Sequence, residues 1–234
     1  MRFHTSNPIY RGVMDRTEVT DRPITYAGVA LRTLFLLFIA GGSGIFIVTR
    51  IETVSIGLII GLAVVAFISA IVGTRSPRLA QVFSIIYALC EGAILGLVSV
   101  LYASFYEGIV PSAIATTLIV LVVMMILYSM NLIKVNQKFA SFLVVSMISI
   151  IIMSLIGILF PVFGGGSFYT LICVLSTLVA CLYLFWDFEN IKYCVESGAD
   201  ASAGWMLSLG LMVSLVWIYV EVLRLLAIFG NRRN

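Results

Sequence analysis

Seven uninterrupted apolar runs of roughly twenty residues follow one another through the chain. Each can cross a hydrocarbon core about 30 Å thick as a helix rising 1.5 Å per residue. Together they take up most of the 234 residues and leave no room for a separate soluble catalytic domain. Only 11% of residues are charged, 62% are apolar and the mean hydropathy is +1.15, whereas a soluble domain carries about 25% charge. The runs are continuous rather than alternating, which sets aside a transmembrane barrel of short strands. The expected fold is therefore an all-α membrane protein, a seven-transmembrane helical bundle over residues 28–229. A cytoplasmic N-terminal arm (1–27) precedes it and a short C-terminal tail (230–234) follows.

The net charge of +3 comes from basic residues that sit mainly between the apolar runs. They read as topology signals, and no nucleic-acid partner is expected. Cys90, Cys173, Cys181 and Cys194 are scattered through or beside the spans, unlike a disulfide framework or a zinc pattern. The polar arm mixes both charges and has no apolar core, so it does not read as a signal peptide. Its SNPIYRG stretch carries no mechanism that chemistry alone dictates.

The first six spans are expected at about Gly28–Val48, Thr53–Gly73, Leu79–Tyr102, Ile109–Met130, Phe139–Val162 and Phe168–Glu196, and the seventh at about Gly204–Phe229. Arg32, one turn inside the first, should snorkel to the headgroups. Gly41, Gly42 and Gly44 would let a neighbouring backbone approach, and Gly57 and Gly61 have the GxxxG spacing of ordinary close helix packing. Pro77, in the basic TRSPR turn, suits the first turn of the third helix. With the N-terminus inside, ten Lys and Arg fall on the cytoplasmic side and four on the other, as the positive-inside rule asks. Arg232 and Arg233 go against it locally.

Chemistry gathers on three helical stripes. Cys173, Ser176, Ala180, Tyr183, Asp187 and Asn190 share one face of the sixth run; Gln81, Ser84, Ala88 and Glu91 share one face of the third; Gly210, Ser214, Trp217, Glu221 and Arg224 share one face of the seventh. A carboxylate on such a face marks a functional site by default. Glu91 stands near mid-bilayer, where a lone charge costs about 2.5–3.5 kcal/mol on insertion scales. Asp187 falls near the cytoplasmic boundary, level with Arg75 and Arg78. The bland alternatives are a neutral Glu91 bonded to a neighbouring helix, solvated acids at a helix end for Asp187 and Glu189, and a boundary pair at i, i+3 for Glu221 and Arg224.

LYLFWDFENIK (Leu182–Lys192), the short polar loop after it and a last span ending EVLRLLAIFGN resemble the Bax inhibitor-1 family, and its bacterial membrane members in particular. The resemblance implies six helices around a central one and a pH-sensitive calcium leak. It also implies an aspartate pair between helices six and seven as proton sensor, and an arginine near the end of helix two as latch. Asp187 matches the first aspartate, the second falls at or near Ser214, which cannot ionise, and Arg75 lies within about one residue of the latch.

The leading expectation is a cation leak, with Ca²⁺ as permeant ion, gated by protonation of Asp187 facing Arg75. Asp187 is the candidate Ca²⁺ ligand, and Glu91, Glu221 and Ser214 line a candidate ion path. Two alternatives stand beside it: a non-conducting interaction protein that modulates a membrane protease or other membrane complex, and a proton-coupled small-solute transporter. No enzyme and no bound cofactor are expected, since the only histidine is His4 in the arm and no metal or nucleophile constellation is present. The partners would be the lipid bilayer, Ca²⁺ or protons, and another membrane protein. Short loops and sparse charge suit a bacterial inner membrane.

Overall fold

A computed structural model of the chain describes residues 23–50, 55–131, 135–159 and 166–231. Seven helices fill them: α1 Tyr26–Arg50, α2 Ile56–Arg75, α3 Pro77–Ala103, α4 Ile109–Ser129, α5 Gln137–Leu159, α6 Gly166–Glu196 and α7 Ala203–Asn231. All seven contain a stretch long and apolar enough to cross a membrane. Among the described residues the only β pairing is an isolated bridge between Pro23 and Asp200. The arm up to Arg22, Lys134, the turn at 161–165 and the terminal Arg232 and Arg233 lie outside the described residues.

Helix ends fall within a few residues of the expected ones, and capping side chains set several of them. Thr25 Oγ1 accepts from the Gly28 N–H (3.0 Å), Ser55 Oγ from Leu58 (3.2 Å) and Asn136 Oδ1 from Phe139 (2.9 Å). Pro77 opens α3, with Ser76 the single residue between it and α2. Gly198, at φ 69°, adopts the left-handed backbone that lets the chain leave α6 and turn towards α7. Half of the apolar window of α7 is buried, against a third or less in each of the other helices.

The chain divides into two compact units, Met1–Val98 with Asn190–Val213, and Ser99–Glu189 with Ser214–Asn234. In the first, glycines bring α1 and α3 into backbone contact. A Cβ on Gly92 would collide with the Ala40 carbonyl oxygen, and one on Gly96 would lie 2.6 Å from the Gly44 oxygen. Gly41, Gly42 and Gly61 meet only open space, and Gly57 has nothing nearer than its own helix cap. The GxxxG spacing of α2 therefore makes no close packing within the chain, contrary to expectation.

Arg32 finds partners within the protein. Its Nη1 donates to the Ala201 carbonyl oxygen at 2.7 Å and its guanidinium lies 5.5 Å from the Trp205 ring centroid. A carbonyl and an aromatic face thus hold the cation against the α6–α7 loop, at the end of the helices. Gly204 makes this possible, because a Cβ there would occupy the guanidinium's place. The Ile24 N–H donates to the Ala199 oxygen at 2.9 Å, so the residues just before α1 tie down the α6–α7 loop. Ser208 Oγ, donating to the Val29 oxygen at 3.0 Å, joins α7 to α1 deeper in the unit.

Candidate functional site

The stripe expected on α6 is the face that the second unit buries. Cys173, Ser176 and Ala180 are fully enclosed, while Leu171, Leu175 and Leu178 on the opposite side are exposed. Packing therefore turns the polar side chains of α6 inward. Two polar contacts with α7 result, three helical turns apart along α6.

At the first, Ser214 Oγ donates to Asp187 Oδ2 at 2.5 Å. Asp187 is half-buried, and α6 continues nine residues past it to Glu196, about 13 Å of further helix. The reading of Asp187 and Glu189 as solvated residues at a helix end does not hold. Glu189 accepts from the Tyr128 hydroxyl of α4 at 2.7 Å. The Tyr128 ring packs 6.1 Å from that of Phe185 and 5.6 Å from that of Phe188. The uncharged fourth span thus supplies a polar anchor beside the site. Its one signal in the sequence was a tyrosine near the end of a run with no charged residue.

At the second, Ser176 Oγ donates to Glu221 Oε1 at 2.8 Å and accepts from Trp217 Nε1 at 3.2 Å. Arg224 Nη1 completes the cluster at 3.1 and 3.2 Å from the two Glu221 oxygens. Glu221 is only 4% exposed, so this i, i+3 pair is not a solvated boundary pair. The Trp217 ring also packs 5.5 Å from that of Tyr183. Serine, tryptophan and arginine together satisfy the buried carboxylate.

The remaining expected site residues lie in the first unit. Arg75 ends α2 with an exposed side chain, and Arg78 beside it is exposed too. Glu91 sits half-buried in the middle of α3. Among the described residues no three His, Cys, Asp or Glu side chains gather closely enough to hold a metal ion.

A family model described as Bax inhibitor 1 like matches residues 7–231. The chain belongs to that family. Within this Bax inhibitor 1 like chain, the hydroxyl of Ser214 meets Asp187 at the position where the resemblance places a second carboxyl. No curated protein matches the chain. Seven membrane-length helices and this family together make it a Bax inhibitor-like integral membrane protein.

Proposed function

We propose that this Bax inhibitor-like protein is a pH-sensitive cation leak, with Ca²⁺ the permeant ion and Asp187 the proton-binding gate. It would sit in a bacterial inner membrane with its N-terminus in the cytoplasm. The observation that supports this reading is the bond from Ser214 to Asp187, which ties the carboxyl of α6 to α7. A hydroxyl both donates and accepts, so Ser214 can bond Asp187 as a carboxylate or as an acid. A second carboxylate there would repel the first, and the pair would release its protons in two coupled steps. With serine the switch takes up one proton, and the contact survives it.

In this reading deprotonated Asp187 favours the closed state, with Arg75 the latch that the resemblance implies. Protonation removes that charge, and the equilibrium moves by the difference in proton affinity between the two states. A resident Ca²⁺ would need six to eight oxygens, more than Asp187 and its neighbours offer, so the ion is read as cargo in transit. Glu221, already bonded to Ser176 and Arg224, stands in this path as a fixed charge rather than a mobile ligand.

The deciding experiment is Ca²⁺ entry into liposomes holding the purified full-length chain, from mildly acid to mildly alkaline medium. Wild type should conduct more in acid, and Asp187→Asn should lose that dependence. Flux no greater than in empty liposomes at any pH, with helicity intact, would sink the proposal. A second reading, a non-conducting protein that docks a membrane partner, draws on the open space around Gly57 and Gly61 of α2. Capture of a membrane complex that disappears on deleting residues 1–22, together with absent flux, would favour it.

A further inference from the structure

Among the described residues, Glu91 is the carboxylate in the body of a membrane-length helix that the site described above does not use; Glu196 stands at the very end of α6. Fourteen residues of α3 precede it from Pro77 and twelve follow it to Ala103. It therefore lies about 20 Å from either end of the helix, close to mid-membrane whichever end faces the cytoplasm. A glutamate side chain is too short to reach a headgroup from there.

The backbone around Glu91 is held firmly. The next residue, Gly92, packs directly against the Ala40 carbonyl of α1, and a Cβ in its place would collide with that oxygen. Tyr87 and Ala88, one turn earlier, are buried. Among the described residues, no hydrogen bond or ion pair reaches the Glu91 carboxyl; the single ion pair found joins Arg224 and Glu221. The titratable groups in electrostatic reach are Tyr87 and Cys90, both on α3 and both uncharged when protonated. At this level α1 contributes Ala40, Ser43 and Gly44, none titratable, and the Ser43 hydroxyl is already bonded to the Ala40 oxygen at 3.0 Å.

An ionised carboxylate without a cation or a donor is costly in such surroundings. A multivalent cation would need further oxygen ligands, and no group of three acidic, histidine or cysteine side chains forms among the described residues. The ligand that one unpartnered carboxyl can hold is a single proton. We propose that Glu91 is a proton-binding site within the membrane, separate from Asp187, and that it carries its proton as a neutral acid open to hydrophobic carbodiimides. In that reaction the acid's proton passes to a carbodiimide nitrogen as its oxygen bonds the central carbon. The O-acylisourea then rearranges to a stable N-acylurea, and nothing leaves.

The proposal does not depend on conduction, and its test does not read flux. The full-length chain in liposomes is treated with dicyclohexylcarbodiimide in acid and in alkaline medium, and peptide fragmentation locates the adduct. The expected adduct is on Glu91, declines as the medium is made alkaline, persists in Asp187→Asn and is lost in Glu91→Gln. Mapping in the wild type keeps the test valid even if a variant folds poorly. Absence of an adduct on Glu91 in acid, with the helicity of the protein retained, overturns the proposal. So does modification of Glu91 only by a water-soluble carbodiimide with an added amine, which would mean a hydrated, ionised carboxylate. If the proposal fails this way the Asp187 gate is untouched, and loss of pH-dependent flux in turn leaves Glu91 untouched.

Discussion

Glu221 on α7 accepts from Ser176 and Arg224 and is 4% exposed, whereas Glu91 on α3 is half-buried and meets no donor among the described residues. The two share a side chain and a setting inside a membrane-length helix. What separates them is what the neighbouring helix presents. Opposite Glu221, α6 offers a hydroxyl, and one turn further along α7 a guanidinium points back. Opposite the stretch around Glu91, α1 offers Ala40 and the glycine contact that brings the backbones together. Small residues achieve close approach by removing the side chains that could have bonded an acid. The same bilayer thus holds one glutamate as a structural ion pair and leaves the other to the proton.

The sharpest way to break this comparison is to make the same change at both positions. Glu221→Gln keeps an acceptor for Ser176 but leaves Arg224 without its counter-charge. Losing one partner of a buried pair costs about 3–5 kcal/mol, and the 30% exposure of the Arg224 side chain puts the expected loss at the lower end. Glu91→Gln exchanges one neutral, isosteric group for another and should move stability by no more than about 0.5 kcal/mol in either direction. Thermal unfolding of both variants in detergent checks this. Equal losses would mean that Glu91 has a charged partner after all.

A smaller effect probes the α6 side of the Glu221 cluster. Ser176→Ala removes the donor to Glu221 Oε1 and the acceptor of Trp217 Nε1 together. A buried polar group left unsatisfied costs about 1–3 kcal/mol, so this variant should fall between the two above. A loss as large as that of Glu221→Gln would place the weight of the cluster on the serine rather than on the ion pair.

Much of this arrangement was open to sequence reading, and the rest was closed for a physical reason. Seven spans were legible because lipid demands long continuous apolar helices, and the inward stripe of α6 because helical periodicity reports which side chains share a face. The alignment of Ser214 with a missing acid likewise pointed to the atom that does meet Asp187. Periodicity says nothing about what stands across the gap. Gly44 and Gly61 lie in equally glycine-rich stretches, yet one touches α3 and the other meets open space. Arg32 finds its acceptor 169 residues away in a loop whose path no local pattern reveals. Whether Glu221 was a boundary charge or a buried one turned on the register of α7 against α6.

A third acid shows what water changes. Asp200 lies in the α6–α7 loop, outside the spans, and its Oδ1 accepts from the Ser202 N–H at 2.7 Å. Bonds from the Ser202 side chain and backbone, aided by the nearby Arg32 charge, hold its carboxyl below the usual carboxylate range. Because the folded value is the lower one, this stabilisation is present above the unfolded value of 3.8 and disappears as the pH falls through the folded one. Asp200→Ala should therefore lower the unfolding midpoint slightly at neutral pH and not at all in strong acid. The effect is smaller than the losses expected of Glu221→Gln and Ser176→Ala, since solvent and salt screen an acid at the surface. The bridge to Pro23 uses backbone atoms and survives the substitution, so a deficit that persists in strong acid would assign the role of Asp200 to the shape of the loop. A deficit confined to neutral pH would show that a bonded acid in water contributes through its charge, as Glu221 does in the membrane and Glu91 does not.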